Sequence, residues 1–196
     1  SGPGAINFLG GVSMVAPASG TTTWTSTGTI TVASGASLVG NFNFNAASAN
    51  IVINGTYFTT NFTSTFAVLS GNGSIRNGHT AAGTFIAGGS AASTFSGNII
   101  NGSTGALTFK YTGTGTLTLT GANTYTGGTT INGGTLSVAT GGTTGTNLSS
   151  STVTLGGGTL FINTTGTISN LITLATGTNT IAAASGVTGT LNGVIS

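Results

Sequence analysis

The sequence predicts an all-β domain wound as an irregular solenoid. The first sign is alternation: apolar and hydroxyl residues trade places with period two through many short segments, as in half-buried strands. The second is punctuation, because Gly- and Asn-rich turns separate these segments every ~8–12 residues. The third is recurrence. Leu136 in GGTLSV and Leu160 in GGTLFI hold the same place in one phrase, and Leu119 precedes Leu136 by a somewhat shorter step. Spacings of roughly 20 residues are those of stacked coils, each of which buries its face only against its neighbours. Because the steps are unequal, the coils are expected to be irregular and to carry loops. No apolar stripe of helical period is visible.

Along the chain, residues 1–20 stand apart as an N-terminal strand or cap, and residues 21–196 form the solenoid domain. The first segment, SGPGAINFLGGVSMVAPASG, has no threonine and holds Pro3, Pro17 and Met14. One reading makes it a capping strand over the open end of the solenoid. The other makes it a segment that docks on a second subunit by strand addition. The stretch between the two prolines is long enough for one exchanged strand. The candidate subunit contacts are Ala5, Ile6, Phe8, Leu9, Val12, Met14 and Val15.

Alternating strands follow at Thr29–Val32, Asn41–Phe44, Asn50–Ile53, Thr116–Thr120, Thr135–Val138 and Thr152–Leu155. Their β-branched residues suit a pleated surface. Leu117, Leu119, Leu136, Val138, Val153, Leu155, Leu160 and Ile162 are expected inside, with Thr116, Thr118 and Thr154 exposed. Asn-Gly pairs begin at Asn54, Asn72, Asn77, Asn101, Asn132 and Asn192. Both residue types tolerate the left-handed conformation of tight corners. The ending TLNGVIS (Thr190–Ser196) echoes TFSGNII (Thr94–Ile100) half a chain earlier, suggesting that one long unit recurs.

Composition removes several function classes. Among 196 residues there is no Asp or Glu, and Lys plus Arg total 2. The pI near 9.5 therefore reflects Arg76 and Lys110 standing unopposed, not a basic patch. Nucleic-acid binding needs clustered cations that release counterions, so no nucleic-acid partner is expected. Mean hydropathy is +0.40, but the longest apolar stretch, Ala5–Ala16, is short and broken by glycine. A spanning helix needs about 20 residues, so no transmembrane helix is expected. The absence of Cys leaves backbone ladders and the core to hold the fold. The chain opens at Ser1 without a leader pattern and is expected to be a processed product or an excised fragment.

No catalytic residue is expected. Acid–base chemistry draws on His, Asp, Glu, Lys, Tyr or Cys, and carboxylates and thiols are missing. His79, in GSIRNGHTAAG near Arg76, has no acid to orient its imidazole. Arg76, His79 and Lys110 are read as surface residues. Divalent metals want carboxylate, imidazole or thiolate ligands, and one histidine is not a site, so no metal or cofactor is expected. The glycine runs at Gly127-Gly128, Gly133-Gly134 and Gly156–Gly158 lack the Gly-Lys-Ser/Thr of a phosphate loop and read as corners. Lys110 with Tyr111, and Trp24, suit a carbohydrate-stacking site, but outward strand positions are the simpler reading.

Asn-x-Ser/Thr triplets occur at Asn54, Asn61, Asn72, Asn101, Asn147 and Asn163. Turn chemistry accounts for them most simply. A β surface this poor in charge nevertheless tends to associate, and glycans at these sites would keep it soluble. Covalent or bound glycans are therefore candidate partners, beside self-association.

One stretch carries a family resemblance. Residues 111–140 read YTGTGTLTLTGANTYTGGTTINGGTLSVAT. GTGTLTLTGANTYTGGTT (Gly113–Thr130) followed by INGGTLSV (Ile131–Val138) resembles the autotransporter-associated β-strand repeat of bacterial passenger regions. The resemblance extends more faintly through Ser151–Ser196, so the passenger-type repeat spans about residues 105–196. It implies a right-handed parallel β-helix, exported to the bacterial cell surface or beyond, with a structural or adhesive role and no catalytic site. The expected role is a structural subunit of an extracellular fibre or surface layer that self-associates head to tail. The alternatives are an adhesin passenger fragment that binds glycans and an ice-binding solenoid. The last is suggested by Thr-x-Thr at Thr29/Thr31, Thr116/Thr118/Thr120, Thr124/Thr126, Thr152/Thr154 and Thr178/Thr180.

Overall fold

The computed structural model describes residues 4–14, 21–23, 27–40, 43–139, 148–149 and 151–196. Trp24, Val15 and Asn147 lie outside these residues, as do the side chains of Val12 and Met14. Among the described residues there is no helix, and the chain winds as a solenoid of parallel strands. The first coil is β1 (Ile6–Phe8), β2 (Gly11–Met14) and β3 (Thr21–Thr23). The second is β4 (Thr29–Val32), β5 (Ser37–Gly40) and β6 (Asn43–Ala46). Then follow β7 (Asn50–Ile53), β8 (Thr56–Thr59) and β9 (Thr63–Phe66). The next is β10 (Leu69–Ser70), β11 (Ser74–Asn77) and β12 (Gly83–Ala87). After it come β13 (Ser93–Phe95), β14 (Asn98–Gly102) and β15 (Leu107–Tyr111).

In two coils the described residues hold no strand on the second side: β16 (Thr116–Leu119) with β17 (Thr129–Ile131), then β18 (Thr135–Val138) with β19 (Val153–Leu155). The last strands are β20 (Thr159–Ile162), β21 (Gly166–Ile168), β22 (Ile172–Leu174), β23 (Thr180–Ala183) and β24 (Gly189–Leu191).

The strands lie on three sides. Side one runs β1-β4-β7-β10 and continues as β13-β16-β18-β20-β23, the two joined by a Gly71–Phe95 bridge. Side two is β2-β5-β8-β11-β14, then β21-β24 in the final coils. Side three is β3-β6-β9-β12-β15-β17-β19-β22, and a bridge from Ile172 to Ile195 adds the last residues. Every strand pairing is parallel.

Coil length varies, as the unequal steps suggested. The step from Ile51 to its partner Leu69 is shorter than the step from Ile6 to its partner Ile30. Leu136 does stack on Leu160. The step from Leu119 to Leu136 is corrected, because Leu136 stacks on Leu117 and Leu119 meets Val138. The two registers differ by an even shift, which keeps the same side chains inside. The long echo between TFSGNII and TLNGVIS is not a solenoid period. Thr94 lies in β13 on side one and Thr190 in β24 on side two. What recurs is local, a strand followed by a corner glycine, Gly97 or Gly193, packed against the backbone of the coil before it.

The core lies in the lumen. Leu117, Leu119, Leu136, Val138, Val153, Leu155, Leu160 and Ile162 are all buried, as alternation predicts. Each such side chain contributes about 1.5–3 kcal/mol when it leaves water. Thr116, Thr118 and Thr154 are half-buried, not exposed, because neighbouring strands about 4.8 Å away shield their flanks. Inside side three, Phe44, Phe66, Phe85 and Phe109 form a ladder that Tyr125, just ahead of β17, extends, with centroids 5.3 to 6.3 Å apart. Small residues make room for it. Ser64 sits in register between Phe44 and Phe85, and Phe66 between Ala46 and Ala87.

Glycines form the corners for a reason other than the expected one. No non-glycine residue among those described has positive φ, and of the glycines that follow these asparagines only Gly102 does. Most corner glycines are instead places of close approach. A Cβ on Gly73, Gly97 or Gly121 would fall within 3.0 Å of the backbone of Gly55, Gly73 or Gly97 respectively. One glycine thus stacks on the next up the corner between sides one and two.

Candidate functional site

The surface offers end coils, corner ridges and flat sides, and the candidate residues divide among them. At the first coil, β1 pairs with β4 and β2 with β5 of the same chain. Ala5 is exposed, Ile6 half-buried, Phe8 buried and Leu9 80% exposed. At the other end, Leu171, Leu174, Val194 and Ile195 are exposed apolar side chains.

Asn54, Asn72 and Asn163 each sit just past the side-one strand of their coil, so they line one corner. Ser96 and Thr120 hold the same position in two of the coils between, and all five residues are exposed. Asn54 and Asn72 belong to consecutive coils. Asn61 is exposed on another corner. Asn101 is half-buried; its Nδ2 donates to Thr126 Oγ1 at 2.9 Å, and its Oδ1 accepts from the N–H groups of Leu107 (3.1 Å) and Thr126 (3.0 Å).

Arg76, His79 and Lys110 do not converge. Arg76 is on β11 of side two, and Lys110 is on β15 of side three, between Ile86 and Thr130. His79 is exposed at the corner after β11, where its Nδ1 accepts from the N–H of Ala81 at 3.0 Å. Tyr111 is buried, so the reading of Lys110 and Tyr111 as neighbours on one outer face is corrected. Adjacent strand residues point to opposite sides. The described residues hold no cluster of three or more His, Cys, Asp or Glu.

The Thr-x-Thr pairs are scattered. Thr29/Thr31 and Thr116/Thr118 lie on side one, Thr152/Thr154 at β19 on side three, and Thr124/Thr126 outside any strand. Thr116, Thr135, Thr159 and Thr180 do stack in one column, but the neighbouring column reads Thr118, Ser137, Phe161, Ala182. The array is therefore not two threonines wide for more than a coil.

The motif-bearing stretch is occupied with holding the coil together. Its Gly113, Gly115 and Gly121 pack on the backbone of the preceding coil. Asn123 is buried on the second side, where this coil has no strand, and its Oδ1 accepts from the Ile99 N–H at 2.8 Å. Tyr125 is fully buried beside it, with its hydroxyl 2.6 Å from Thr129 Oγ1. Burial pushes the Tyr125 phenol up to about 12, even though the Thr129 bond favours the ionised form. Tyr57 is raised further by burial, against the pull of its bond to Ser64 Oγ at 2.8 Å. Asn170 repeats the device later in the chain, its Nδ2 donating to the carbonyls of Ser149 and Ser151.

These residues coincide with a known unit. Residues 111–138 match the sequence profile of the passenger-associated-transport-repeat. The chain carries a passenger-type repeat. No curated protein and no solved structure matches the chain. The repeat runs from Tyr111, which closes β15, through β16 and β17 to the end of β18, slightly more than one coil. Gly121, Asn123 and Tyr125 serve in it as corner, tie and core.

Sequence reasoning missed the buried polar ties, the aromatic ladder and one further surface row. On side two, Val39, Phe58, Arg76 and Ile100 stand in register, each half-buried. The step from Phe58 to Arg76 equals the step from Ile51 to Leu69, and that shared coil length would have paired them.

Proposed function

We propose that the chain is a non-enzymatic structural subunit of an extracellular bacterial fibre or surface layer, and that copies associate head to tail. The passenger-type repeat and the solenoid fit a secreted or surface protein of this kind. One observation carries the assembly reading. The last coil ends with β23 on side one, β24 on side two and Ile195 on side three, and the first coil starts with β1, β2 and β3 on those same sides. A second copy seated on the last coil would continue all three parallel ladders and cover Leu174, Val194 and Ile195. Such a contact does not close on itself, so it grows an open fibre. With no side-chain carboxylate and only two side-chain cations besides His79, little charge opposes pairing at the edges.

Sedimentation and negative-stain microscopy of the whole chain, and of a variant lacking residues 1–20, test this. The whole chain should form filaments that lengthen with concentration, and the truncated one should stay folded and monomeric. Filaments of normal length from the truncated chain would make the segment a cap. A whole chain that stays monomeric at high concentration would end the assembly reading.

The adhesin reading rests on the long outward rows of the flat sides, which suit an extended ligand. The ice-binding reading finds no support in the broken threonine columns. Glycosylation at Asn54, Asn61, Asn72, Asn101, Asn147 or Asn163 is part of the proposal, and the exposed ridge of Asn54, Asn72 and Asn163 is its best-placed surface.

A further inference from the structure

We infer that the outer surface of side two is a binding strip for a carboxylate-bearing polysaccharide, with Arg76 as its anion anchor and Phe58 as its stacking platform. The strip is independent of the end contacts, so it holds for a monomer as well as for a fibre. Two rows run across the coils there. Val39, Phe58, Arg76 and Ile100 form one, and Ser37, Thr56, Ser74 and Asn98 form the other, two residues away along each strand. A row of three apolar side chains and Arg76 thus lies beside a row of hydroxyls and an amide, repeating at the strand spacing of about 4.8 Å.

Arg76 decides the sign of the ligand. No Asp or Glu exists in the chain to pair with it. Its Nε is buried and has no hydrogen-bond partner, a cost in free energy that no acceptor of the chain offsets, so a ligand would meet the guanidinium at its terminal N–H groups. The pairing of β11 with β14 slips after Arg76, so that Gly102, not Asn101, stands opposite Asn77. Gly102 has φ of 81°, and a Cβ there would lie 3.0 Å from the Arg76 Cβ and 3.6 Å from its Nε. A side chain there would press on the stem of Arg76. Bulges of this kind re-aim side chains next to functional sites.

A guanidinium matches a carboxylate with two parallel N–H···O bonds. The face of Phe58 is electron-rich and receives the C–H groups of a sugar ring. The hydroxyl row beside it meets the polar edge of the same polymer. A linear acidic polysaccharide offers all three features at a regular repeat, and a neutral one lacks the anion.

Affinity electrophoresis of the whole chain through gels containing polygalacturonate or uncharged dextran tests this directly. The acidic polymer should retard the protein, more weakly at high salt, and dextran should not. Arg76→Gln should weaken retardation by about tenfold or more, the scale of one charge-assisted hydrogen-bond pair. Arg76→Lys should recover only part of the loss, and Phe58→Ala should weaken binding as well. Lys110→Gln should bind as the parent does. Unchanged thermal melting of each variant separates lost contact from lost fold. No retardation by either polymer, equal retardation by both, or undiminished binding by a folded Arg76→Gln variant would overturn the strip.

Discussion

At the scale of single residues, buried polar groups tie the passenger-type repeat to the coil before it. Asn123 takes the Ile99 N–H that a side-two strand would otherwise satisfy. An unpaired buried N–H costs roughly 1–3 kcal/mol. Asn123→Ala should therefore lower unfolding stability by about that amount, measured by urea titration at an unchanged slope. Tyr125→Phe removes the hydroxyl that meets the buried Thr129 Oγ1 and should cost about 1 kcal/mol. Gly121→Ala forces a Cβ into the backbone of Gly97, and backbone has no rotamer with which to yield. It should cost about 1–3 kcal/mol, as overpacking does. Full stability in any of these variants would show that the corner has slack the structure does not display.

At the scale of the element, each strand is stable only through the coils above and below it. Phe66 stacks on Phe85 with centroids 5.4 Å apart and meets Tyr57 edge-on at 5.5 Å. Phe66→Ala should cost about 3–5 kcal/mol because this rigid ladder cannot collapse into the gap, a loss visible in chemical denaturation. The same one-coil spacing governs the ridge. Asn54 and Asn72 stand on consecutive coils, about 4.8 Å apart by the strand spacing, too close for two glycans to lie side by side. If native material is glycosylated, its mass should exceed 18.7 kDa by whole sugar units. Peptide mapping should find one of these two sites occupied in a given molecule, not both. An unmodified native mass would withdraw the glycan proposal and leave tight packing between copies as the account of the missing charge.

At the scale of the molecule, the absence of carboxylates sets an unusual pH profile. Acid unfolding works mainly by protonating carboxylates that are paired in the native state, and this chain has no Asp or Glu. Thermal stability should stay nearly flat from pH 7 down to about pH 3. Alkali acts differently. The folded-state values of Tyr57 and Tyr125 are raised above the ordinary 10.0 by burial. Above that value the unfolded chain releases these protons while the folded chain keeps them. Their contribution is therefore complete below about pH 10 and falls as pH rises through the folded values. Melting temperature should drop above about pH 10, and Tyr57→Phe should blunt the drop. A steep loss of stability in acid would contradict this.

Much of this is legible without coordinates, and it is the part that depends on local period. Alternation at Thr116–Leu119 and Thr135–Val138 determines which side chains face inward, because strand geometry admits no other choice. The Gly113–Val138 stretch marks the repeat, and the missing carboxylates are what lead the sequence to expect neither a metal site nor acid–base chemistry. Register is another matter. Whether Leu136 stacks on Leu117 or Leu119 leaves the same faces inside, so the pattern of the residues cannot choose between them; corner packing and coil length do. Local sequence reads the corner glycines as turn conformers, yet Gly73, Gly97 and Gly121 are fixed by the backbone of the coil below, a full winding away along the chain. The pairing of Phe58 with Arg76, the ridge of Asn54 and Asn72, and the ties of Asn123 and Asn170 are likewise contacts between coils. Only the tertiary winding decided them, because a solenoid brings together residues that no local pattern relates.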